Sequence, residues 1–210
     1  MRCIGVYGAS GFGREVLPLV RTQYAGDDTE IRFIDDGIAD DDSVLSFEDF
    51  IALPHAEKLV TITIANSAIR ERLAVRCSDA GIGIADVRAA NAMMFDNVKI
   101  GEGAILCGFT HLTSNIRIGR HFHANLYSYV AHDSIIGDYV TFAPNVHCNG
   151  NVHIDDHAYI GTGAILKQGT PDRPLKIGRG ATVGMGAVVT KDVAAGDTVV
   201  GNPARPMERR

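Results

Sequence analysis

The chain of 210 residues contains no tryptophan, and aromatic residues make up only 7% of it. A core built on large rings is therefore excluded, and small and branched aliphatics must fill the interior. The four cysteines, Cys3, Cys77, Cys107 and Cys148, stand far apart with no C-x-x-C pair. That removes zinc ribbons and dithiol redox motifs and suggests buried free thiols in a reducing compartment. No apolar run approaches the roughly 18 residues of a membrane span. The N-terminus lacks a signal-peptide pattern, since Arg2 leads into a strand-like run and a glycine-rich loop. Positive charge is not in excess either: the formal net charge of -5 argues against a nucleic-acid or anionic-membrane surface. A soluble cytoplasmic protein with no nucleic-acid or membrane partner is expected.

What the chain does have is a rhythm. An apolar residue returns at every sixth position through Met94, Ile100, Leu106, Leu112, Ile118, Ala124, Val130, Ile136, Phe142, Cys148, Ile154, Ile160 and Leu166. After five extra residues the period resumes at Ile177, Val183 and Val189. Four places after most leads stands a small or branched residue, among them Ala104, Thr110, Ser128, Ser134 and Ala164. A fixed six-residue period is the signature of a parallel β-helix. Each hexad makes one short strand and one turn, and three hexads close a triangular coil. The leads point inward and the small residues fill the corners. Glycines after the leads, such as Gly119 and Gly137, are expected to supply the backbone freedom of the turn. With the interior filled, chemistry must sit on outward turn residues or in grooves between chains. The turn Val130-Ala131-His132-Asp133-Ser134 offers one such place, an outward histidine beside a carboxylate, which suits a general base.

Before the hexads, the pattern is strand, helix, strand, helix, strand, helix. Cys3 to Tyr7 runs into Gly8-Ala9-Ser10-Gly11-Phe12-Gly13, and a helix with Pro18 near its first turn follows. A second strand, Ile31 to Ile34, ends at Asp35-Asp36. Ser46 to Leu53 is a short helix with Ser46 as cap and Asp49 at the capping-box position. A third strand spans Leu59 to Ala65, and a helix spans Ala68 to Ala80. The pattern predicts a small parallel α/β domain over residues 1–90 and a β-helix domain over 91–210. Glycines between a strand and a helix let backbone N–H groups approach a phosphate. The acidic pair lies near the place of a ribose-binding carboxylate. The G-x-x-G-x-G spacing and the short unit fit a nucleotide sugar better than a dinucleotide, and a ligand-free tight turn remains the alternative.

The Gly8–Gly13 loop, the strand ending Asp35-Asp36, the hexads, Ala131-His132-Asp133 and the tail Gly201-Asn202-Pro203-Ala204-Arg205 run in one order. Together they resemble the bacterial sugar acetyltransferases that include nucleotide-4-aminosugar N-acetyltransferases and sialic acid O-acetyltransferases. The resemblance implies a small Rossmann-like N-terminal domain that binds the nucleotide sugar, followed by a left-handed β-helix that assembles as a homotrimer. It implies acetyl-CoA as co-substrate and no metal. By position, Ser10, Gly11 and Phe12 would line the sugar-nucleotide loop, with Asp35 and Asp36 at the base or ribose. Ala65 stands where the family has glycine. His132 matches the general base, Asp133 its acidic neighbour, and Asn125 a position near the reacting amine. Gly150 matches the thioester-oxygen donor, and Thr162 and Met185 match acetyl-CoA contacts. Thr141 replaces a second histidine at another such contact, so its hydroxyl could donate a hydrogen bond but carry no charge. The implied reaction is N-acetylation of a nucleotide-linked 4-amino-6-deoxy sugar, with sialic acid O-acetylation as the alternative.

Two other classes compete. His111, His121, His123, His147, His153 and His157 crowd the hexads, as a zinc lyase resembling the γ-type carbonic anhydrases would require, yet no two are five residues apart. A non-enzymatic sugar-binding scaffold would leave the His132–Asp133 turn and the tail unexplained. The segment Gln168 to Lys176 breaks the period and carries Arg173 and Lys176, which with Lys167 and Arg205 are candidates for a CoA phosphate.

Overall fold

The computed structural model describes residues 1–26, 28–38 and 43–207. Packing divides the chain into two units, Met1–Arg88 and Ala89–Arg210.

The first unit holds a five-stranded parallel sheet in the order β3-β2-β1-β4-β5. Its strands are β1 (Arg2–Tyr7), β2 (Thr29–Ile34), β3 (Val44–Leu45), β4 (Glu57–Ile62) and β5 (Gly83–Ile84). β1 is central, which is why Cys3, Ile4 and Val6 are fully buried. Helix α1 (Gly11–Gln23) starts inside the glycine-rich loop, with Ser10 extended at the position before its first residue. Pro18 therefore lies in the helix interior instead of its first turn, because the loop glycines themselves take up helical geometry. Gly13 permits this: a Cβ there would sit 1.8 Å from the Gly8 carbonyl oxygen. Helix α2 (Phe47–Ala52) is capped as expected, the Ser46 side chain accepting from Asp49 N–H. Helix α3 (Ser67–Asp79) begins at Asn66, whose side chain accepts from Ile69 N–H. β4 starts and ends earlier than the apolar alternation suggested, and the two-residue edge strands β3 and β5 were too short to leave a pattern.

The second unit is a prism of three parallel sheets. Up to the 168–176 segment each strand pairs with the strand eighteen residues on, as Tyr129 with His147 and Val130 with Cys148; across that segment the offset is twenty-three. The leads line the interior: Phe142, Cys148, Ile160, Leu166 and Val183 are fully buried, and the Phe122 and Phe142 rings meet edge to face at 5.2 Å. Ser128 and Ser134 suit the corners because their hydroxyls work inside: Val146 N–H donates to Ser128 Oγ and Val152 N–H to Ser134 Oγ. An antiparallel turn, pairing Val199 with Pro206, ends the prism.

The glycines after the leads have a different purpose from the one expected. The left-handed conformation falls two places later, on Asn97, Asn115, Asp133 and Asn151 at one corner and on Phe109, Tyr127 and Asn145 at the second. His121, Tyr139 and His157 take it at the third. Gly119 and Gly137 are small because the next coil passes too close: a Cβ would lie 2.7 and 2.6 Å from the backbone nitrogens of Asp138 and Asp156. Bulky residues rarely accept positive φ. Here their rings stack along the corners, Phe109 on Tyr127 at 4.9 Å and Tyr139 between His121 and His157 at 5.1 and 5.3 Å.

Candidate active site

His132 and Asp133 sit on a corner of the prism with their side chains half exposed. Asp133 occupies the left-handed position, φ 58°, which Asp and Asn tolerate better than other side-chain-bearing residues. That turn brings its Oδ2 to 2.8 Å from His132 Nδ1. Asp133 Oδ1 accepts from Asn115 Nδ2, and Asn115 Oδ1 accepts from Asn97 Nδ2, each at 3.2 Å. The hydrogen bond from His132, followed by that from Asn115, holds the Asp133 carboxyl below its ordinary pKa. A carboxylate on Nδ1 fixes the proton there and leaves Nε2 as the acceptor.

Gly150 stands one coil on, directly against the ring. A Cβ at this position would lie 2.5 Å from both Cε1 and Nε2 of His132. Its carbonyl accepts from Gly169 N–H, and its own N–H has no protein partner among the described residues. Beside it, Asn149 accepts from the Tyr129 hydroxyl at 2.9 Å and donates to the Leu166 carbonyl at 2.8 Å, while Tyr129 stacks on His147. Tyr129 and Asn149 escaped the motif reading; their spacing of about one coil was the available signal.

Asn125, Thr162 and Met185 gather on the preceding corner. Gly186 N–H donates to the Thr162 carbonyl, and Met185 is 81% exposed. The Asn125 Oδ1 is buried without a hydrogen-bond partner. Thr141 lies on the face opposite the His132 corner, flanked by His123 and Tyr159, and is buried. One copy of the prism thus brings together His132, Asp133 and Gly150, but not Asn125, Thr141, Thr162 or Met185 with them.

Further along the prism, the 168–176 segment leaves the wall and forms a cleft of about 650 Å³ lined by Lys167, Thr170, Arg173, Lys191 and Asp192 among others. The cysteine nearest His132, Cys148, points into the prism, and burial pushes its thiol up to about 12. A thiol so disfavoured from ionising is a poor nucleophile.

In the first unit, Ser10 and Gly11 are exposed at the start of α1, and the Ser10 side chain makes no capping bond. The two acidic residues have different jobs. Asp35 accepts from Ala9 N–H with one oxygen and from Gly37 N–H with the other, both at 3.0 Å, tying the strand end to the glycine-rich loop. Asp36 is locked into a network: Phe47 N–H donates to its Oδ1, and the Tyr7 hydroxyl and Arg76 Nη1 donate to its Oδ2. Arg76 also reaches Glu48 and lies 4.2 Å over the Phe47 ring. Burial alone would raise the Asp36 pKa, but the Phe47, Tyr7 and Arg76 bonds outweigh it and the carboxyl is lowered. Ala65 is exposed, and its carbonyl and that of Ile64 accept from the buried Arg70 guanidinium.

The prism histidines do not converge. Among the described residues the one group of three donors close enough to share a metal ion is Cys3, Glu30 and His55. His111 bonds the Phe109 carbonyl, and His121 and His157 flank Tyr139. No described helix is long and apolar enough to cross a membrane.

No protein-family model matches the chain. It is 48% identical over its whole length to the GDP-perosamine N-acetyltransferase of Escherichia coli O157:H7, covering 98% of that protein. Among solved structures, WeeI from Acinetobacter baumannii AYE is 60% identical, with a TM-score of 0.96 over 99% of this chain and 100% of that one. The acetyltransferase domain of PglB from Neisseria gonorrhoeae FA1090, in complex with acetyl coenzyme A, is 26% identical, with a TM-score of 0.84 over 98% of both chains. The stacked hexad coils and these relatives define an acetyl-CoA-dependent sugar N-acetyltransferase built on a left-handed β-helix. Within that class, the chain belongs to the GDP-perosamine N-acetyltransferase family. Neither the zinc-lyase nor the non-enzymatic reading survives this, and N-acetylation takes precedence over sialic acid O-acetylation.

Proposed function

We propose that this enzyme transfers acetyl from acetyl-CoA directly to the amine of a GDP-linked perosamine-type sugar, with His132 as general base. The observation that carries the mechanism is the 2.8 Å contact of His132 Nδ1 with Asp133, which leaves Nε2 free beside Gly150. The sugar amine attacks the thioester carbon as its proton passes to Nε2. The tetrahedral oxyanion accepts a hydrogen bond from the Gly150 N–H. Collapse breaks the C–S bond, and the His132 proton leaves with the CoA thiolate. Asp133 stabilises the imidazolium formed between the two transfers. General bases contribute about 10²–10⁴-fold and a fixed oxyanion donor about 10²–10³-fold. The buried Cys148 supports transfer without an acyl-enzyme.

The nucleotide belongs to the first unit. Its strand order is that of a doubly wound Rossmann-like sheet without the sixth strand, which supports phosphate binding at Ser10, Gly11 and Phe12 on the α1 N-terminus. Asp35, at the same loop, would meet the base or ribose. Asp36 shapes the site through Tyr7 and Phe47, and Ala65 narrows it slightly. The separation of Asn125, Thr162 and Met185 from His132 supports a homotrimer in which one copy supplies those residues to the next copy's base. Thr141, on a strand that leads into the same corner, would offer the acetyl-CoA site a hydroxyl donor without charge. The cleft at Lys167, Arg173 and Lys191 suits the CoA phosphates. Nucleotide sugars and acetyl-CoA are cytoplasmic metabolites, in keeping with that location.

A thiol-release assay with acetyl-CoA and UDP-, GDP- and dTDP-linked 4-amino-6-deoxy sugars tests the reading. Turnover with the GDP sugar, falling about 10²–10⁴-fold in His132→Ala, is expected. Near-normal turnover in that variant would remove His132 from the chemistry, and preference for another nucleotide would overturn the substrate.

A further inference from the structure

We propose that Cys3, Glu30 and His55 form a thiolate–carboxylate–imidazole site for one divalent zinc-type ion in the first unit, using none of the residues assigned to acetyl transfer. Cys3 and Glu30 are register partners on β1 and β2, and His55 lies just before β4, the other neighbour of β1. One donor atom from each lies within 4.8 Å of the other two. Tetrahedral zinc with bond lengths of about 2.0–2.3 Å needs donors roughly 3.3–3.8 Å apart. His55 Nε2 and Glu30 Oε2, 2.9 Å apart, would part slightly while the longest donor separation closes by about 1 Å, both within the reach of three side chains, one of them on a loop.

A second observation singles this group out. The His55 side chain is only 5% exposed, and neither ring nitrogen makes a hydrogen bond. Its Nε2 comes within 2.9 Å of Glu30 Oε2, close enough for an ion pair but misaligned for a hydrogen bond. A buried imidazole that makes no hydrogen bond is costly. A cation placed between Nε2, Oε2 and the thiolate would satisfy it. Glu30 keeps Oε1 for Arg32, so Oε2 is available without breaking that pair.

The ligand chemistry selects the ion. Sulfur and imidazole favour zinc or cobalt over magnesium and calcium. Thiolate and carboxylate together balance the ion's two positive charges. Burial and the Glu30 charge push the Cys3 thiol up to about 11. A thiolate ligand gives up its proton to the metal, one per ion. The fourth position opens on the side of Glu30, whose side chain is 27% exposed. An ion here would fasten β1, β2 and the β4 approach.

The test uses the full-length protein, stripped with a chelator and titrated with cobalt. The expected result is a thiolate-to-cobalt charge-transfer band and tetrahedral visible bands saturating at one equivalent per chain. Zinc should displace cobalt and raise Tm by several degrees. Cys3→Ser and His55→Gln should each abolish the bands while retaining acetyltransferase turnover. His55→Gln is the decisive variant if Cys3→Ser folds poorly, since His55 lies on a loop. Absent bands, or bands that persist in His55→Gln, would overturn the site.

Discussion

Gly150→Ala places a methyl carbon 2.5 Å from both Cε1 and Nε2 of His132. Carbon needs about 3.5–4.0 Å from such atoms, so the ring must retreat by 1 Å or more. Gly150 is not in the left-handed region, so the backbone accepts alanine without strain. The His132 side chain is 48% exposed and can swing into solvent, but only by giving up its 2.8 Å contact with Asp133. A displacement of about 1 Å at a reacting group costs on the order of 10²-fold, or about 2.7 kcal/mol of barrier. Stability should change by less than about 0.5 kcal/mol, as for other yielding surface sites. Steady-state thiol release should therefore show kcat falling about 100-fold, with Tm within about 2 °C of the parent. Combined with His132→Ala, the glycine substitution should add little, because it acts through the same ring. A kcat within threefold of the parent would refute the reasoning, as would unfolding, since it would mean the ring cannot yield.

Asp133→Asn keeps an acceptor for Nδ1 but removes the charge that stabilises the imidazolium; kcat should fall at least tenfold with KM nearly unchanged, read by the same assay. Asp36→Asn should lower Tm by a few degrees at pH 7, given about 0.2–1 kcal/mol for such partly exposed pairs. Because the folded Asp36 pKa is depressed, its contribution is present above about pH 4 and is lost as pH falls through the folded value. The Tm difference between parent and variant should accordingly narrow in acid, and a gap that does not shrink as pH falls would contradict the network. Replacing Lys167, Arg173 and Lys191 together by alanine should raise the acetyl-CoA KM about tenfold with little change in kcat; an unchanged KM would remove the cleft from CoA binding. Phe142→Ala, in the prism interior, should cost about 3–5 kcal/mol by denaturant titration.

The prism was legible because its interior imposes one demand at a fixed interval: a side chain such as Ile160 or Cys148 must point in at every sixth residue. The His132–Asp133 pairing followed from the same phase. What the glycines after the leads do was misread, since the close passage of Gly119 by the Asp138 backbone is a contact between coils. No local pattern carries it. The distinction between Asp35 and Asp36 was hidden for a related reason. It depends on Arg76, forty residues from Asp36, and on the Tyr7 hydroxyl at the end of another strand. The sequence does not show that Pro18 lies inside the helix, because α1 begins at the loop glycines through the close packing of Gly13 on Gly8. Tyr129 and Asn149 were invisible to motif reading because neither residue type is unusual in a β-helix wall.

The coil also behaves as a graduated scale. Adjacent strands stand about 4.8 Å apart, so the height of the basic cleft above His132 is fixed in whole steps. Losing six residues from the wall would rotate everything beyond it by a third of a turn, presenting the cleft to a different side. Losing eighteen would keep the side and lower the cleft by one step. Residues 168–176 evade this arithmetic by bulging outward and rejoining, with Leu175 paired to Val152, twenty-three residues earlier. Changes in the length of this enzyme between His132 and the cleft are thus confined to full coils or side loops, and the reach required of a bound cofactor varies only in jumps.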